Sequence, residues 1–302
     1  MPVMRSLLFV PGNRERMIDK ALASAADVVL LDLEDSVTPG EKEAARRTVA
    51  ATLERLAAGA SASHPLVYVR VNSGELLRAD LDAVARTALD GVVLPKAEAP
   101  ELVEEVDGLL ARLEEARGLA HGTLRLLPIV ESARGLLAAP QVAAGSPRVV
   151  ALMFGGEDFS ADLGLPAPRE REAAELLYPR WATAVAAAAA GVPAIDTIWA
   201  DVRDEAGLLA QAQLARRLGY AGKAVIHPGQ IAPVNRVFSP TSEEIAHARR
   251  VVAAAEEGER AGSGAVALDG RMIDRPIVER ARRTLTLARA LGLAEASSFP
   301  RA

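Results

Sequence analysis

Eight short apolar runs, each followed by a helix-forming segment, restrict the fold of this chain more than any other feature. The runs are continuous rather than alternating in polarity, which is typical of strands buried on both faces of a parallel sheet. They cover Ser6–Val10, Val28–Leu33, Leu66–Val71, Gly91–Leu94, Leu126–Val130, Val149–Phe154, Ala194–Trp199 and Lys223–Ile226. Eight successive β/α units predict a (β/α)8 TIM barrel, with the active site where the strands end.

The part of the chain beyond the eighth unit is interpreted as a C-terminal helical extension. Two helical segments, Thr241–Arg260 and Arg275–Leu291, are joined by the glycine-rich link Gly258–Gly264. We therefore expect a barrel domain over residues 1–238 and an extension over residues 239–302. A doubly wound open sheet is the alternative, but its glycine-rich first turn is absent, since the first run ends in P-G-N rather than G-x-G-x-x-G.

The composition excludes several classes of partner. The formal net charge is −5, and no Lys/Arg block with interleaved aromatic residues occurs, so nucleic acid is not expected to bind. No apolar run reaches the ~18 residues of a membrane span, and Met1–Pro11 lacks the features of a signal peptide. The chain has no cysteine, which fits a reducing compartment. A cytoplasmic protein without a membrane partner is the expectation.

Two carboxylates stand at the ends of the fifth and sixth apolar runs. Glu131 is the first charged residue after L-L-P-I-V, and Asp158 follows V-V-A-L-M-F-G-G-E. If the two strands are parallel neighbours, both side chains project from the same edge of the sheet. Magnesium takes one or two carboxylates together with waters and substrate oxygens, so the pair predicts a Mg2+ site rather than a zinc site. The alternative is that each acid caps the following helix.

Arg70 follows the third run, in V-Y-V-R-V-N, and has two interpretations. Its planar guanidinium suits a substrate carboxylate or an enolate oxygen beside the metal, or it forms a structural salt bridge with Glu34 or Asp35. Both acids, with Asp32, come from L-L-D-L-E-D-S after the second run. Strand alternation places Asp32 and Glu34 on one face and Asp35 on the other. We interpret the three as groups that orient the arginine and the waters of the metal.

Other candidate residues lie near the ends of the barrel strands or in the extension. Arg16 and Lys20 are one helical turn apart and can hold a phosphate together, although such a pair is also typical of a solvated helix face. His227, followed by Pro228, is the one histidine of four at the end of a predicted strand. Asp274, in M-I-D-R-P, opens the last helix, where the simplest interpretation is an N-cap with proline in the first turn.

Eight motifs, in order, resemble the citrate lyase β-subunit-like family, which includes malyl- and citramalyl-coenzyme A lyases. They read R-S-L-L-F-V-P-G-N, L-D-L-E-D-S-V, V-R-V-N, V-L-P-K, P-I-V-E-S, G-G-E-D-F, G-K-A-V-I-H-P-x-Q-I and M-I-D-R-P. The resemblance extends from Arg5 to Arg289, and I-H-P is somewhat more similar to the malyl- and citramalyl-thioester lyases than to the citrate lyase subunit.

The resemblance implies a magnesium-dependent barrel enzyme, a homo-oligomer such as a trimer or hexamer. Such an enzyme cleaves or forms the carbon–carbon bond of a citryl-, malyl- or citramalyl-thioester, giving an acetyl thioester and a 2-oxo acid. The thioester is carried by coenzyme A or by an acyl-carrier protein. The implied site residues are the metal ligands Glu131 and Asp158, of which Glu131 is also substrate-binding, the substrate-binding and catalytic Arg70, and the coenzyme A neighbours Arg16, Lys20, His227 and Pro228. Asp274 is implied as an acid/base from a neighbouring subunit, with the extension as a lid.

Two other functions stay open at this point. A coenzyme-free class II aldolase of small hydroxy-oxo acids would share the barrel and the metal but would have no affinity for coenzyme A. A non-catalytic barrel subunit would not need metal ligands, and the presence of both Glu131 and Asp158 argues against it.

Overall fold

The computed structural model describes residues 2–59, 64–166, 173–260 and 266–293. The chain divides into two compact units, Val3–Arg236 and Val237–Ala302. Among the described residues, no helix has the length and apolar character needed to cross a membrane.

The first unit is a closed barrel of eight parallel strands, each hydrogen-bonded to the next and the last to the first. The strands are β1 Ser6–Pro11, β2 Val28–Asp32, β3 Leu66–Arg70, β4 Gly91–Leu94, β5 Arg125–Val130, β6 Leu152–Phe154, β7 Ala194–Asp196 and β8 Gly222–Val225. This confirms the predicted (β/α)8 barrel. Side chains from alternate positions, among them Leu7, Leu30 and Ile195, pack in the interior with at most 2% of their surface exposed.

Two strands, β6 and β7, are each three residues shorter than the apolar runs that predicted them. β6 begins at Leu152, and the preceding Val149 makes only an isolated bridge to Leu126. β7 ends at Asp196, and the apolar residues Ile198 and Trp199 lie in the loop that follows. Ile198 lines the cavity described below and Trp199 is buried. The apolar runs therefore extend beyond the hydrogen-bonded strands because some of their residues line the cavity or are buried in a loop. The apolar pattern of a sequence does not distinguish such residues from residues of a strand.

Helices cover the outside of the barrel and connect its strands. They are α1 Glu15–Leu22, α2 Lys42–Ala58, α3 Leu77–Val84, α4 Pro100–Ala116, α5 Ala133–Ala144, α6 Gly156–Asp162, α7 Leu177–Ala189, α8 Glu205–Arg217 and α9 Ile231–Phe238. Residues 167–172, which precede α7, lie outside the described residues. In the described part, a 3-10 turn over Ala174–Leu176 precedes α7. Pro179, in the first turn of α7, lacks the amide hydrogen that an interior helical position needs.

The second unit contains α10 Ser242–Arg260, a two-stranded antiparallel hairpin and α11 Arg275–Ala290. The hairpin strands are β9 Val266–Leu268 and β10 Arg271–Ile273, which the prediction of a helical extension did not include. Asp269 and Gly270 join them with positive φ angles of 51° and 74°. Asp-Gly between apolar residues is a strong hairpin signal because both turn positions need positive φ. Of the predicted link Gly258–Gly264, the first three residues belong to α10 and residues 261–264 lie outside the described residues.

Candidate active site

A cavity of about 380 Å³ opens where the barrel strands end. It brings together Glu131, Asp158 and Arg70, which are far apart in the chain. The lining residues are Phe9, Asp32, Asp35, Ser36, Arg70, Ile129, Glu131, Met153, Phe154, Gly155, Gly156, Glu157, Asp158, Thr197, Ile198, Ala224 and Ile226. The lining combines carboxylates, the cation Arg70, two hydroxyl side chains and apolar side chains.

Glu131 directly follows β5, and its side chain is 5% exposed. Its Oε1 accepts a hydrogen bond of 2.7 Å from the backbone amide of Lys96, which holds the carboxylate in one orientation. Lys96 has a left-handed backbone with φ 51°, a conformation that non-glycine residues adopt only under local constraint. Within the part of the chain that the structure describes, no hydrogen bond reaches Oε2, so this oxygen remains for a ligand.

Gly155 borders the second oxygen of Glu131. A Cβ atom at position 155 would lie 2.7 Å from Oε2 and 2.6 Å from the Cβ of Glu131, too close for any side chain. The first glycine of G-G-E-D-F is therefore required to leave space beside the carboxylate. This explains the sequence spacing, because the second carboxylate, Asp158, follows three residues later.

The raised pKa of Glu131 indicates a site in which negative charge is in excess. The pKa of Glu131 is raised to about 8, chiefly by burial; the hydrogen bond from the Lys96 amide and the charge of Arg70 oppose the increase, and the charges of Asp158 and Glu34 add to it. Two carboxylates that repel each other across a cavity are stabilised by a cation between them. Their oxygens are the hard ligands that magnesium takes, and one or two carboxylates are the usual number for this ion.

The two carboxylates suit magnesium better than a metal ion whose ligands all come from protein side chains. In the described ranges no three His, Cys, Asp or Glu side chains are close enough to hold a metal ion together. Glu131 and Asp158 could hold such an ion only together with waters or substrate oxygens, and their role as metal ligands stays a prediction. Neither acid caps a helix: Ser132 Oγ caps α5 by accepting from the Gly135 amide at 3.0 Å, and Gly155 occupies the cap position of α6.

Two neighbours fix the segment that carries Asp158. The amide of Gly156 donates to Thr197 Oγ1 at 2.9 Å, which ties the start of α6 to the loop after β7. Phe159, in the same short helix, packs on Phe154 with ring centroids 5.4 Å apart. Asp158 itself is half-buried. The sequence analysis missed Thr197 because a threonine after a strand has no distinguishing pattern.

Arg70 lines the cavity and is also held by carboxylates. Its Nε and Nη2 donate to the two oxygens of Asp32 at 2.7 Å each. Nη1 lies 3.0 Å from Glu34 Oε2 and 3.6 Å from Asp35 Oδ2. The expectation that Asp35 faces away from Glu34 is wrong, because β2 ends at Asp32 and strand alternation does not continue beyond it. The observed position of Arg70 fits both interpretations: its guanidinium forms salt bridges with the three acids, and it lines the cavity in which a substrate would bind.

The acids around Arg70 differ in their electrostatics. Burial raises the pKa of Asp32, but the hydrogen bonds and charge of Arg70 outweigh burial and hold it below its ordinary value. The pKa of Glu34 is raised, because burial outweighs the attraction of Arg70 and of Lys96, whose Nζ donates to Glu34 Oε1 at 2.6 Å. Lys96 is a partner that sequence analysis did not assign, since it is separated from Glu34 by the whole third β/α unit.

The remaining candidate residues are not among the described residues that line the cavity. Arg16 and Lys20 are exposed on α1. His227 and Pro228 are exposed after β8, and His227 Nδ1 accepts from the Gly229 amide at 3.1 Å. Asp274 is half-buried in the second unit and caps α11, with Oδ1 accepting from the Ile277 amide at 3.3 Å. This agrees with the simplest interpretation of Asp274.

Comparisons with known proteins give one consistent family. Residues 5–228 match the family HpcH/HpaI aldolase/citrate lyase. Citrate lyase subunit beta of Escherichia coli (strain K12) is 39% identical over 298 residues, covering 96% of this chain and 95% of that protein. Mitochondrial citramalyl-CoA lyase of Homo sapiens is 38% identical over 296 residues, covering 94% and 85%. The solved structure of CitE from Mycobacterium tuberculosis with magnesium, acetoacetate and coenzyme A has a TM-score of 0.75 and 35% identity, covering 95% and 98%.

Proposed function

The chain belongs to the HpcH/HpaI aldolase/citrate lyase family, and we infer that it is a magnesium-dependent carbon–carbon lyase of coenzyme A thioesters. The observation that carries this inference is the pair Glu131 and Asp158 beside one small cavity, with Glu131 Oε2 without a hydrogen bond from the described residues. The lyase class and the magnesium cofactor expected from the sequence agree with the relatives.

The reaction is cleavage of a 3-hydroxyacyl thioester between its second and third carbon atoms. The hydroxyl loses its proton, the C2–C3 bond breaks, and the electron pair moves onto C2 as a thioester enolate, which then takes a proton. The products are a 2-oxo acid and an acetyl thioester. The chemistry that magnesium supplies when bound at Glu131 and Asp158 is a positive charge that lowers the pKa of the substrate hydroxyl.

Arg70 would bind the substrate and stabilise the negative charge that develops during cleavage. Asp32 engages two of the five N–H groups of its guanidinium, and this pairing fixes the plane of the fork at the edge of the cavity. Phe9 stacks beneath the guanidinium at 5.0 Å, which adds a second constraint on its position. An Arg held in this way needs no rearrangement when charge develops, which is the condition for electrostatic catalysis.

The thioester end of the substrate would extend from the cavity to the protein surface. The cavity volume of about 380 Å³ fits the acyl group but not a whole coenzyme A. The exposed Arg16, near the start of α1, and the exposed His227 and Pro228, directly after β8, follow the ends of their strands as Glu131 follows β5. With the exposed Lys20 one turn further along α1, they would contact the coenzyme A moiety.

A panel assay tests the proposed function. Purified protein is incubated with magnesium and with citryl-, malyl- or citramalyl-coenzyme A, and the released 2-oxo acid is measured. Magnesium-dependent release from at least one thioester is expected, together with a thermal shift on adding acetyl-coenzyme A. Aldol cleavage of small hydroxy-oxo acids without a shift would indicate the coenzyme-free aldolase. Inactivity on every substrate, without a shift on adding magnesium or acetyl-coenzyme A, would indicate a non-catalytic barrel.

Asp274 would act as the acid/base from a neighbouring copy of the chain, which makes the protein a homo-oligomer. The single cap hydrogen bond to Oδ1 leaves the other carboxylate oxygen for proton transfer. Asp274→Asn should lose turnover but still bind magnesium and thioester. Mixing it with Glu131→Gln protein under subunit exchange should restore a fraction of the turnover, because some sites then combine one intact Glu131 with one intact Asp274.

The matched control for Asp274 is Asp269→Asn, in the hairpin turn of the same unit. Asp269 pairs with Arg250 at 2.9 Å on the surface, and its loss should leave turnover unchanged. Full activity of Asp274→Asn would show that this residue is only a helix cap. Confirmed mixed oligomers without restored turnover would show that Asp274 does not act across subunits.

A further inference from the structure

Lys96 lies between two groups that the proposed reaction needs at a fixed separation. Arg70 ends β3, Glu131 directly follows β5, and β4 is the strand between β3 and β5 in the barrel. Lys96 is the second residue after β4. The guanidinium and the metal carboxylate would act on one substrate molecule, so a shift of ~1 Å between them is expected to cost about 100-fold in rate. A residue with contacts on both sides can set this separation.

The backbone of Lys96 makes the contact to Glu131. Its φ angle is 51°. The amide of Lys96 donates to Glu131 Oε1 at 2.7 Å, and the next amide, of Ala97, donates to the Ile129 carbonyl of β5 at 3.2 Å. Consecutive amides of an extended strand point in opposite directions, whereas a left-handed residue turns them to the same side. The left-handed conformation therefore directs the Lys96 amide at one oxygen of Glu131 and leaves the other oxygen for a ligand.

The side chain of Lys96 makes the contact to Arg70 through Glu34. Its Nζ donates to Glu34 Oε1 at 2.6 Å, and the other oxygen of Glu34 lies 3.0 Å from Arg70 Nη1. Only 6% of the Glu34 side chain is exposed, so its charge acts on both neighbours with little screening by water. Lys96 therefore takes up part of the attraction that Glu34 would otherwise exert on Arg70 alone.

Lysine is uncommon in this backbone conformation. Glycine adopts positive φ without steric cost, whereas a residue with a Cβ atom is strained there. In the described ranges, the other non-glycine residues with positive φ are Ala173 and Asp269, and Asp269 stands in a hairpin turn that favours aspartate. Strain of this kind is typical of residues whose side chain has a function. For Lys96 that function is the ion pair with Glu34.

We propose that Lys96 is a positioning residue that couples the metal site to the substrate-binding arginine. This proposal rests on the lyase function proposed above. The backbone amide of Lys96 fixes the orientation of Glu131, and its ammonium group holds Glu34 beside Arg70. Lys96 is not among the described residues that line the cavity, so it acts through these two carboxylates and not on the substrate itself.

Side-chain substitutions test the contact to Glu34. Lys96→Met removes the charge and keeps an unbranched side chain. KM for the thioester cleaved in the panel assay should rise at least about tenfold, while the magnesium Kd from calorimetry stays within about threefold of the parent. Lys96→Arg keeps the charge and should restore KM to within about threefold of the parent. Arg78→Met is the control, because it removes a surface ion pair of 2.9 Å with Glu105 and should change neither quantity. An unchanged KM in folded Lys96→Met protein overturns the coupling to Arg70.

Substitutions that differ in their tolerance of positive φ test the contact to Glu131. Lys96→Gly retains the left-handed backbone without the side chain, and its magnesium Kd should stay within about threefold of the parent. Lys96→Val opposes this conformation, because β-branched residues rarely adopt positive φ, and should raise the magnesium Kd at least about tenfold. Asp269→Val is the matched control: Asp269 has the same φ of 51° in the second unit, and its replacement should lower the melting temperature without changing Kd. Equal Kd values in folded Lys96→Val and Lys96→Gly proteins overturn the backbone role.

The two proposals fail in different ways. Absence of cleavage with every thioester contradicts the lyase function, while the magnesium Kd values of Lys96→Gly and Lys96→Val still report on the backbone role. Cleavage by the parent with unchanged kinetics in Lys96→Met contradicts only the coupling. If Lys96→Val does not fold, the KM values of Lys96→Met and Lys96→Arg decide.

Discussion

Two buried charge networks in the barrel differ in what neutralises them. The cavity network consists of Asp32, Glu34, Arg70 and Lys96, at the end of the strands where the cavity opens. The sealed network consists of Arg180, Asp196, Gln211 and Lys223, between α7, β7, α8 and β8. All four side chains of the sealed network are at least 96% buried, whereas Lys96 of the cavity network is largely exposed.

Every charged side chain of the sealed network is paired with a side chain of opposite charge. Arg180 donates to both oxygens of Asp196 at 3.0 Å, and to Gln211 Oε1 at 2.7 Å. Lys223 Nζ donates to Asp196 Oδ2 and to the Thr197 carbonyl, both at 2.6 Å. Burial raises the pKa of Asp196, but the two cations outweigh burial and hold it below its ordinary value. This network has no need of a ligand.

The cavity network shows the opposite balance. Its acids outnumber its cations once Asp35 and the nearby Glu131 and Asp158 are included, and the pKa values of Glu34 and Glu131 are raised above their ordinary values. An uncompensated buried charge lowers stability, so a fold retains one where a ligand supplies the opposite charge. This difference identifies the functional site independently of any relative. The sealed network stabilises the barrel, whereas the cavity network is suited to bind a ligand that supplies positive charge.

The largest expected effect comes from replacing the two proposed metal ligands of the cavity. Glu131→Gln and Asp158→Asn should each reduce magnesium-dependent turnover by at least about 1,000-fold, above the ~10–100-fold typical of outer-shell partners. Above pH 8, where Glu131 is ionised, neither change should lower the melting temperature of the metal-free protein, because each removes one of two repelling charges. Steady-state assays over a magnesium titration, with melting curves on the same samples, measure both effects. Retained turnover at saturating magnesium in either variant contradicts the metal assignment.

The sealed network should show the reverse response. Asp196→Asn leaves Arg180 and Lys223 buried without a countercharge, and we expect the free energy of unfolding to fall by about 3–5 kcal/mol. Glu34→Gln is the matched change in the cavity network and should alter the free energy of unfolding by less than about 1 kcal/mol, because it removes a charge that is in excess. Urea titrations of both variants measure the difference. Equal losses would mean that the two networks serve the same structural purpose.

Arg70 forms buried salt bridges and also lines the cavity. A lysine substitution distinguishes a structural role of Arg70 from a role in substrate binding and catalysis. Arg70→Lys keeps the charge but loses the fork that grips Asp32, so kcat/KM should fall more than tenfold, or more than ~1.4 kcal/mol of transition-state stabilisation. Arg148→Lys is the control, because Arg148 makes a similar bidentate pair with Glu114 away from the cavity. It should keep its rate and lose stability. A loss of less than about threefold in Arg70→Lys would assign Arg70 to structure alone.

The sequence predicted the barrel and the two carboxylates because both depend on short-range patterns. A continuous apolar run followed by a charge is visible along the chain, and each such run became a strand. The partners of Glu131 and Glu34 were not predictable, because the Lys96 amide reaches Glu131 only through a left-handed backbone that its neighbours impose. Asp196 and Lys223 resemble ordinary strand residues, and only barrel closure brings them to Arg180. The β9–β10 hairpin was predictable from its Asp-Gly turn.

The smallest expected effect is a pH dependence of magnesium affinity, about tenfold in the dissociation constant per pH unit. In the metal-free protein the pKa of Glu131 is about 8, so at pH 6–7 the folded chain holds a proton that the metal must displace. Affinity should therefore rise with pH and level off above about pH 8, where Glu131 is already ionised. Calorimetry in buffers of different ionisation enthalpy should count close to one proton released at pH 6.5 and none at pH 9.

A variant with a matched control tests the cause of this pH dependence. Glu34→Gln removes a neighbouring charge that raises the pKa of Glu131, so the plateau of magnesium affinity should begin at lower pH in this variant. Glu43 is exposed on α2, and Glu43→Gln should behave as the parent. A binding constant independent of pH between 6 and 8, or an unchanged plateau in Glu34→Gln, would show that the excess negative charge of the cavity does not govern metal binding.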